Sequence, residues 1–414
     1  MKKIIFSVFV FLFSFSCFCQ ENFTKRIFEF KVDSPLFLTN NSFRTLDYFK
    51  EEAVIDLTQI AKDMPDSGFE LIAKYNPSFE LSFNAGVAVS LLVGFDLYSK
   101  INLSKDIFDF LGNGSEDTID IKEDINGFLD LFAHVDTSFG WDSDKFKLKL
   151  RASAFKSIVH VTTEGSTVTA FNDEDCNFGY KLEGRGKIYS LIPLSKDVFS
   201  EEFLKNTDNY LPALFGFEGF GIDAGFELGF DFGRYFHCDA SVSIPIIPSR
   251  IHNMIPATCD SEYTTNLSTL LSKDDENSKN PPTFSYELGE CQEEEYYINR
   301  PLKIYADMIF SPHNGIMDYK AGIGFTLLHP FTENPEELSF YFDYYLGTSF
   351  GAWNFLRITL SSERTDQIYI HKLQADVDIR LLRVGAGVST SSSDFVSSFK
   401  CAGLGVFMNF AIGM

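Results

Sequence analysis

Past its first twenty residues this 414-residue chain lacks any long apolar run. No stretch reaches the roughly 18 consecutive apolar residues that a helical span requires, so a membrane crossing, if there is one, falls to strands. Cysteine is scarce too. Of the 7 in the chain, those beyond residue 19 are Cys176, Cys238, Cys259, Cys291 and Cys401, an odd number that excludes a fully paired disulfide scaffold. No C-x-x-C pair exists to suggest zinc or redox chemistry. Only Cys259 and Cys291 fall in one expected loop, where a bridge is compatible with an exported protein. Positive charge is in deficit: Lys and Arg number 35 against 58 Asp and Glu, a net charge of -23. That balance disfavours nucleic acid and anionic lipid surfaces as partners of a basic patch. The 7 histidines include no i, i+4 pair, and no acidic run has the ligand ladder of a calcium hand. Neither a metal nor a cofactor is expected.

What is present begins with an export signal. Lys2 and Lys3 precede an apolar run from Ile4 to Phe15, followed by Ser16, Cys17 and Cys19. This order of charged, apolar and small residues reads as a signal peptide over 1–19, with Gln20 as the mature start. Lipid attachment at Cys17 or Cys19 is the alternative.

Alternation dominates the rest. From Phe220 to Phe232 every even position is apolar except for small Ala224, and every odd one is glycine or a carboxylate. Because strand side chains point to opposite faces with period two, the segment has one greasy and one polar face. Phe79 to Leu97 alternates in the same way and reads as one long strand. Such lengths suit an oblique bilayer crossing of about 9–11 residues plus flanks, whereas soluble strands cluster near five or six. A soluble β-sandwich explains the alternation and not the length.

The pattern therefore predicts an all-β fold, a transmembrane antiparallel β-barrel of about 14 strands. Residues 20–75 are expected to supply an N-terminal strand and an amphipathic helix, since Leu46, Phe49, Ala53, Leu57, Ile60 and Ala61 recur at helical spacing; in a barrel that helix either fills the lumen as a small plug or lies at its mouth. Residues 76–414 are expected to form the barrel, with long acidic extracellular loops. The insertions at 191–216 and 248–300 fall on the outer side when strands are counted back from a periplasmic C-terminus.

The exported start, a helix ahead of most of the array and Gly221-x-Asp223-x-Gly225 on a strand resemble outer-membrane barrels of the long-chain fatty-acid transporter type. The resemblance implies a plug over residues 33–75, a hydrophobic small-molecule substrate entering from outside, and outer-membrane lipid and the outer-membrane assembly machinery as partners. It departs from that family at the C-terminus, which ends in Met414 where such barrels usually end in an aromatic residue.

Candidate site residues follow from charge on polar faces. Lys181, Glu183, Arg185 and Lys187 share one face, and Asp223, Glu227 and Asp231 share one face of the next expected strand. Facing columns could pair across a sheet and line the lumen. Catalytic signals are weak. Gly347-Thr348-Ser349-Phe350-Gly351 fits a nucleophile-elbow string but joins two expected strands where the elbow needs a helix. His134 with Asp136, and His237 with Asp239, are same-face pairs that suit a structural role as well as an acid–base one. The expected protein is an outer-membrane barrel, not an enzyme, taking up hydrophobic or small nutrient molecules. A non-transporting surface barrel with acidic adhesive loops, or a barrel hydrolase, are the alternatives.

Overall fold

The computed structural model describes residues 26–42, 57–113, 119–143, 145–172, 177–192, 216, 219–233, 235–266, 283–312, 316–331, 338–352, 355–365, 368–379 and 381–414. The expected signal peptide, part of the expected helix and several acidic runs lie outside them. In chain order the strands are β1 (Phe28–Asn40), β2 (Phe69–Tyr75), β3 (Ser78–Asn84), β4 (Val87–Leu103), β5 (Ile119–Asp142), β6 (Phe146–Thr162), β7 (Ser166–Asn172), β8 (Asn177–Ser190), β9 (Gly221–Phe232) and β10 (Phe236–Ile247). Then come β11 (Ser249–Asn266), β12 (Thr283–Leu288), β13 (Gln292–Ile298), β14 (Leu302–Phe310), β15 (Met317–Leu328), β16 (Ser339–Ala352), β17 (Leu356–Thr365), β18 (Ile368–Ile379), β19 (Leu382–Ser392) and β20 (Gly403–Gly413).

All pairings given by the described residues are antiparallel, and they close on themselves. The circuit runs β1–β3–β4–β5–β7–β8–β6–β9–β10, then β14 through β20 in order and back to β1, where Glu29 to Leu38 face Gly413 to Leu404. The expected count of about 14 is thus corrected to a closed ring of 16 strands, with β2, β11, β12 and β13 as four more outside it. Two physical reasons explain the miscount. The hairpin at Ala85 and Gly86 pairs Phe83 with Val89 and Asn84 with Ala88, so odd positions stay on one face through the turn. Alternation alone cannot see it; Gly86, at φ 88°, supplies the reversal. Strands also lie end to end: β6 and β7 both pair β5, and β8 and β9 both pair β6. Segments assigned to loops, notably within 248–300, are in fact β11, β12 and β13.

Burial follows the inverse of a soluble sheet. On β9, Asp223 is 4% exposed, while Ile222 and Phe230 are 40% and 43% exposed. Val87, Val89, Leu91, Val93 and Phe95 of β4 are likewise exposed. An apolar exterior over a polar interior matches a barrel in lipid, where ring closure also pairs the backbone groups that hydrocarbon cannot satisfy. The connections β3–β4, β5–β6, β9–β10, β14–β15, β16–β17 and β18–β19 are two to six residues long and share one end, whereas thirty residues separate β8 from β9 at the other side. Short turns belong on the periplasmic side.

The expected plug is also corrected. Within 33–75, residues up to Asn40 continue β1, and Phe69–Tyr75 is β2, a strand outside the ring that pairs with β1 and β4. Helix Leu57–Asp63 packs on helix Lys105–Asn113, with Thr58 Oγ1 donating to the Gly112 carbonyl at 2.6 Å. Phe108 of the second helix meets Phe69 at 5.8 Å between rings, and Ile107 packs with Ile125 and Val168. Phe69 stands opposite Leu103, which continues the outward row of β4. The helix pair therefore covers the outer face of the wall near its long-loop end. Its apolar stripe is buried by Phe69, Ile125 and Val168.

Leu150 points outward at 61% exposure, and its neighbour Arg151 points inward to Glu227. Leu150→Arg is expected to cost about 2–4 kcal/mol of folding stability in vesicles, measured by urea titration, with Ser241→Asn on the inner face costing much less. Equal costs would remove the bilayer from the outer face. On the long-loop side, Cys291 is an exposed free thiol. A membrane-impermeant maleimide should label it on intact cells, and Cys259→Ser should leave that labelling unchanged. Labelling only after outer-membrane permeabilisation would invert the topology.

Candidate functional site

The lumen is partly filled, and what fills it is ordered by charge. Arg300 lies on the link between β13 and β14 and bonds to residues of other strands. Its Nη2 donates to Asp96 Oδ2 of β4 at 2.8 Å, and its Nη1 donates to Asp223 Oδ2 of β9 at 3.2 Å and to Ser153 Oγ of β6 at 3.1 Å. Asp136 of β5 stands 3.5 Å from the same nitrogen. One planar guanidinium with several fixed donors can tie four strands in this way, which an ammonium cannot. The carboxylates are held from behind as well. Asn76 donates to Asp96 at 2.7 Å, and Ser153 donates to Asp136 at 2.5 Å; the His134 ring lies 3.1 Å from Asp136. Gly94 makes room for this imidazole, since a Cβ there would sit 2.8 Å from His134 Nε2.

A second buried node lies toward the long-loop end. Asp130 accepts from His160 at 2.6 Å and stands 3.3 Å from His329 Nε2; the His160 ring stacks on Tyr296 with centroids 4.7 Å apart. Tyr189 stacks on Tyr296 in turn and donates to Glu294 at 2.8 Å. Phe132, Phe155, Ile251, Met254 and Ile298 pack around this stack. A separate inner cluster joins Phe37, Ile72, Ile368, Ile370 and Phe407.

Between these groups remains a cavity of about 530 Å³, lined on its apolar side by Phe37, Phe132, Leu328, Ile370 and Phe407 and on its polar side by Asp96, Asp136, Asp223 and Arg300. A second cavity of about 320 Å³ adjoins it, and Arg151, Ser243, Lys303, Glu363 and Thr365 line both. Those shared residues form a neck between the two spaces.

The two charged columns expected from sequence do not face each other. β8 and β9 lie end to end, so Lys181 pairs with Glu183 at 2.7 Å on its own strand, Arg185 with Asp260 at 2.7 Å, and Lys187 with Glu164 at 3.3 Å. On β9, Glu227 meets Lys147 at 2.9 Å and Arg151 at 3.2 Å, while Asp231 accepts from His237 at 2.6 Å. Asp223 alone of the seven joins the Arg300 node. The expected Cys259–Cys291 bridge is not formed: both thiols are free. Cys259 stands opposite Tyr286, whereas Cys291 reaches Asn253, six residues away along β11 and so about 20 Å distant. Ser349 lies inside β16, with its Oγ 3.0 Å from Thr359 Oγ1, so no strand–turn–helix elbow surrounds it.

Arg300, Asp96 and Asp130 were not singled out by sequence reasoning. Asp96 could have been, as a carboxylate of inward parity between outward Phe95 and Leu97. Arg300 sits outside any alternating run and carried no such signal.

A sealed ring with a greasy exterior and a charged interior decides the setting. The protein is an outer-membrane β-barrel. No family model and no curated protein matches the chain. Among solved structures it is similar to the Pseudomonas putida toluene transporter TodX, at 8% identity and TM-score 0.47, covering 95% of this chain and 91% of that one. It is also similar to the Ralstonia pickettii toluene transporter TbuX, at 6% identity and TM-score 0.46, covering 94% and 90%. A Pseudomonas aeruginosa FadL homologue follows at 9% identity and TM-score 0.40, covering 94% and 89%.

Arg300→Ala would leave three inward carboxylates without their shared cation. The barrel is expected to lose about 3–5 kcal/mol of stability by urea titration in vesicles and to conduct more ions in planar bilayers. Unchanged stability would mean that the node does not brace the wall.

Proposed function

We propose that the barrel takes up small, largely apolar molecules through its lumen. The observation that supports this reading is the 530 Å³ cavity inside the ring, a size and mixed lining suited to a small organic ligand. Its apolar wall, formed by Phe37, Phe132 and Phe407, offers dispersion contacts to a hydrocarbon body. The neck to the second cavity gives such a molecule an onward path without leaving the ring. Ionic walls on the other side make the passage amphipathic and suit molecules that carry one polar group.

The neck supplies the test. Ser243 lines both cavities. Ser243→Trp should fill the space between them while leaving the outer face untouched. Uptake of small aromatic and alkyl compounds into proteoliposomes is expected to fall at least several-fold, with the heat-modifiable electrophoretic shift of a folded barrel retained. Unchanged uptake by the folded variant would make the lumen a structural core and favour a surface-binding role for the acidic strands beyond the ring.

A further inference from the structure

One charge on the β14–β20 side of the ring stands on the outer face. Alternation sends the others there into the lumen: Lys320 pairs with Asp307 at 2.9 Å, Arg357 with Asp318 at 3.2 Å and Arg383 with Asp378 at 3.1 Å, while Lys303, Lys372 and Glu363 line the cavity. Arg364 is the exception. It stands opposite Tyr344 on one side and Tyr369 on the other, in the outward row of β17 that also holds exposed Leu360. Its guanidinium lies 5.0 Å from the centre of the Tyr369 ring, and no carboxylate comes within ion-pair distance among the described residues, which exclude the turn residue Asp366. Nε is buried, whereas the two Nη atoms are open. The free end of the fork therefore faces what surrounds the barrel.

Height on the wall decides what that is. Tyr369 and Ile379 are ten residues apart on β18, and Ile379 adjoins the short periplasmic turn at Leu381. At about 3.3 Å per residue and a tilt of about 40°, Tyr369 lies roughly 25 Å above that turn, the height of the apolar band of an outer-membrane barrel. Leu346, Leu360, Leu373 and Val388 fill the band below and are exposed. At its rim the β19–β20 connection folds back on the outer face: Phe395 meets Tyr369 at 5.4 Å between rings, Phe399 stacks on His371 at 3.9 Å, and His371 Nε2 lies 2.9 Å from Ser398 Oγ. Phe395, Val396 and Phe399 stay exposed, and exposed Lys400 follows. The carboxylate of this connection, Asp394, is occupied in accepting from the Ser397 N–H at 2.8 Å. A cation among aromatic side chains at the edge of an apolar band meets lipid headgroups.

We propose that Arg364 holds the phosphate of one outer-leaflet lipid, its Nη atoms donating to phosphate oxygens and the acyl chains lying on Leu360, Leu373 and Val388. These three stand side by side across β17, β18 and β19, four residues below the Arg364 row. A planar fork bonds two phosphate oxygens at once. A lipid fits both parts of the site, since a soluble anion has no use for the apolar band and a plain hydrocarbon none for the cation. The net charge of -23 opposes a general attraction to anionic surfaces, so the binding is confined to this point on the rim.

Native mass spectrometry of the folded full chain in detergent tests this, with phosphatidic acid, phosphatidylcholine and diacylglycerol of matched acyl chains, and inorganic phosphate, as probes. One phosphatidic acid should be retained most tightly. Arg364→Gln should weaken it about tenfold, as expected for loss of charge-assisted hydrogen bonds, and leave diacylglycerol unchanged. Lys105→Gln, on the helix pair elsewhere on the outer face, should have no such effect. Equal losses from the two substitutions would reduce the binding to diffuse charge and overturn the site. Phosphatidylcholine or diacylglycerol held as tightly as phosphatidic acid would overturn it as well, and so would retention of inorganic phosphate in place of the lipid. If Arg364→Gln does not fold, the order of the four probes on the wild type decides alone.

Discussion

Hydrocarbon offers no hydrogen bonds, and that single constraint governs this molecule. A strand left with a free edge in the bilayer would expose a row of unsatisfied N–H and C=O groups, each costing several kcal/mol. Pairing β1 to β20 along ten residues of register removes the last such edge and brings the described ends together, with Ile27 N–H donating to the Met414 carbonyl at 2.8 Å. Once the ring is closed, side-chain parity decides everything else. Alternate residues must be greasy outward, and whatever polarity the chain carries is driven into a narrow interior.

That interior then meets the opposite difficulty, because charged side chains crowded away from bulk water need partners. The structure answers with shared partners: the Arg300 guanidinium for three carboxylates, and the imidazoles of His160 and His329 beside Asp130. Each node ties strands that are distant in sequence, so the electrostatics that the lumen needs for its own sake also brace the wall. Replacing such ties by apolar packing could be neutral for stability. It would, however, take away the polar face of the cavity, and with it the mixed lining.

How much of this could be read from the chain follows from the same parity. The two-faced character of β9 was legible because it alternates without interruption, and so was the outer-membrane setting. The strand count was not. Phe83 and Val87 stay on one face through the Ala85–Gly86 turn, so a hairpin looked like a single strand. The helix Leu57–Asp63 was found by its spacing, but its docking surface depended on Phe69 and Ile125 being outward, which only the register reveals. Arg300 lay beyond reach for a different reason: its role comes from contacts with strands distant in sequence, and no local pattern encodes those contacts.

The end-to-end arrangement of β8 and β9 has a consequence for how such a chain can change over evolutionary time. Ser190 is held against Val159, and Gly221 against Phe155, on the same strand β6. The points where the chain leaves the wall and returns to it are therefore fixed about 13 Å apart by a third strand. Register on either side is set by β6 and not by the segment between. That segment can lengthen, shorten or be exchanged while the hydrogen-bond ladder below it stays in step, so the wall and its insertion are free to diverge at different rates.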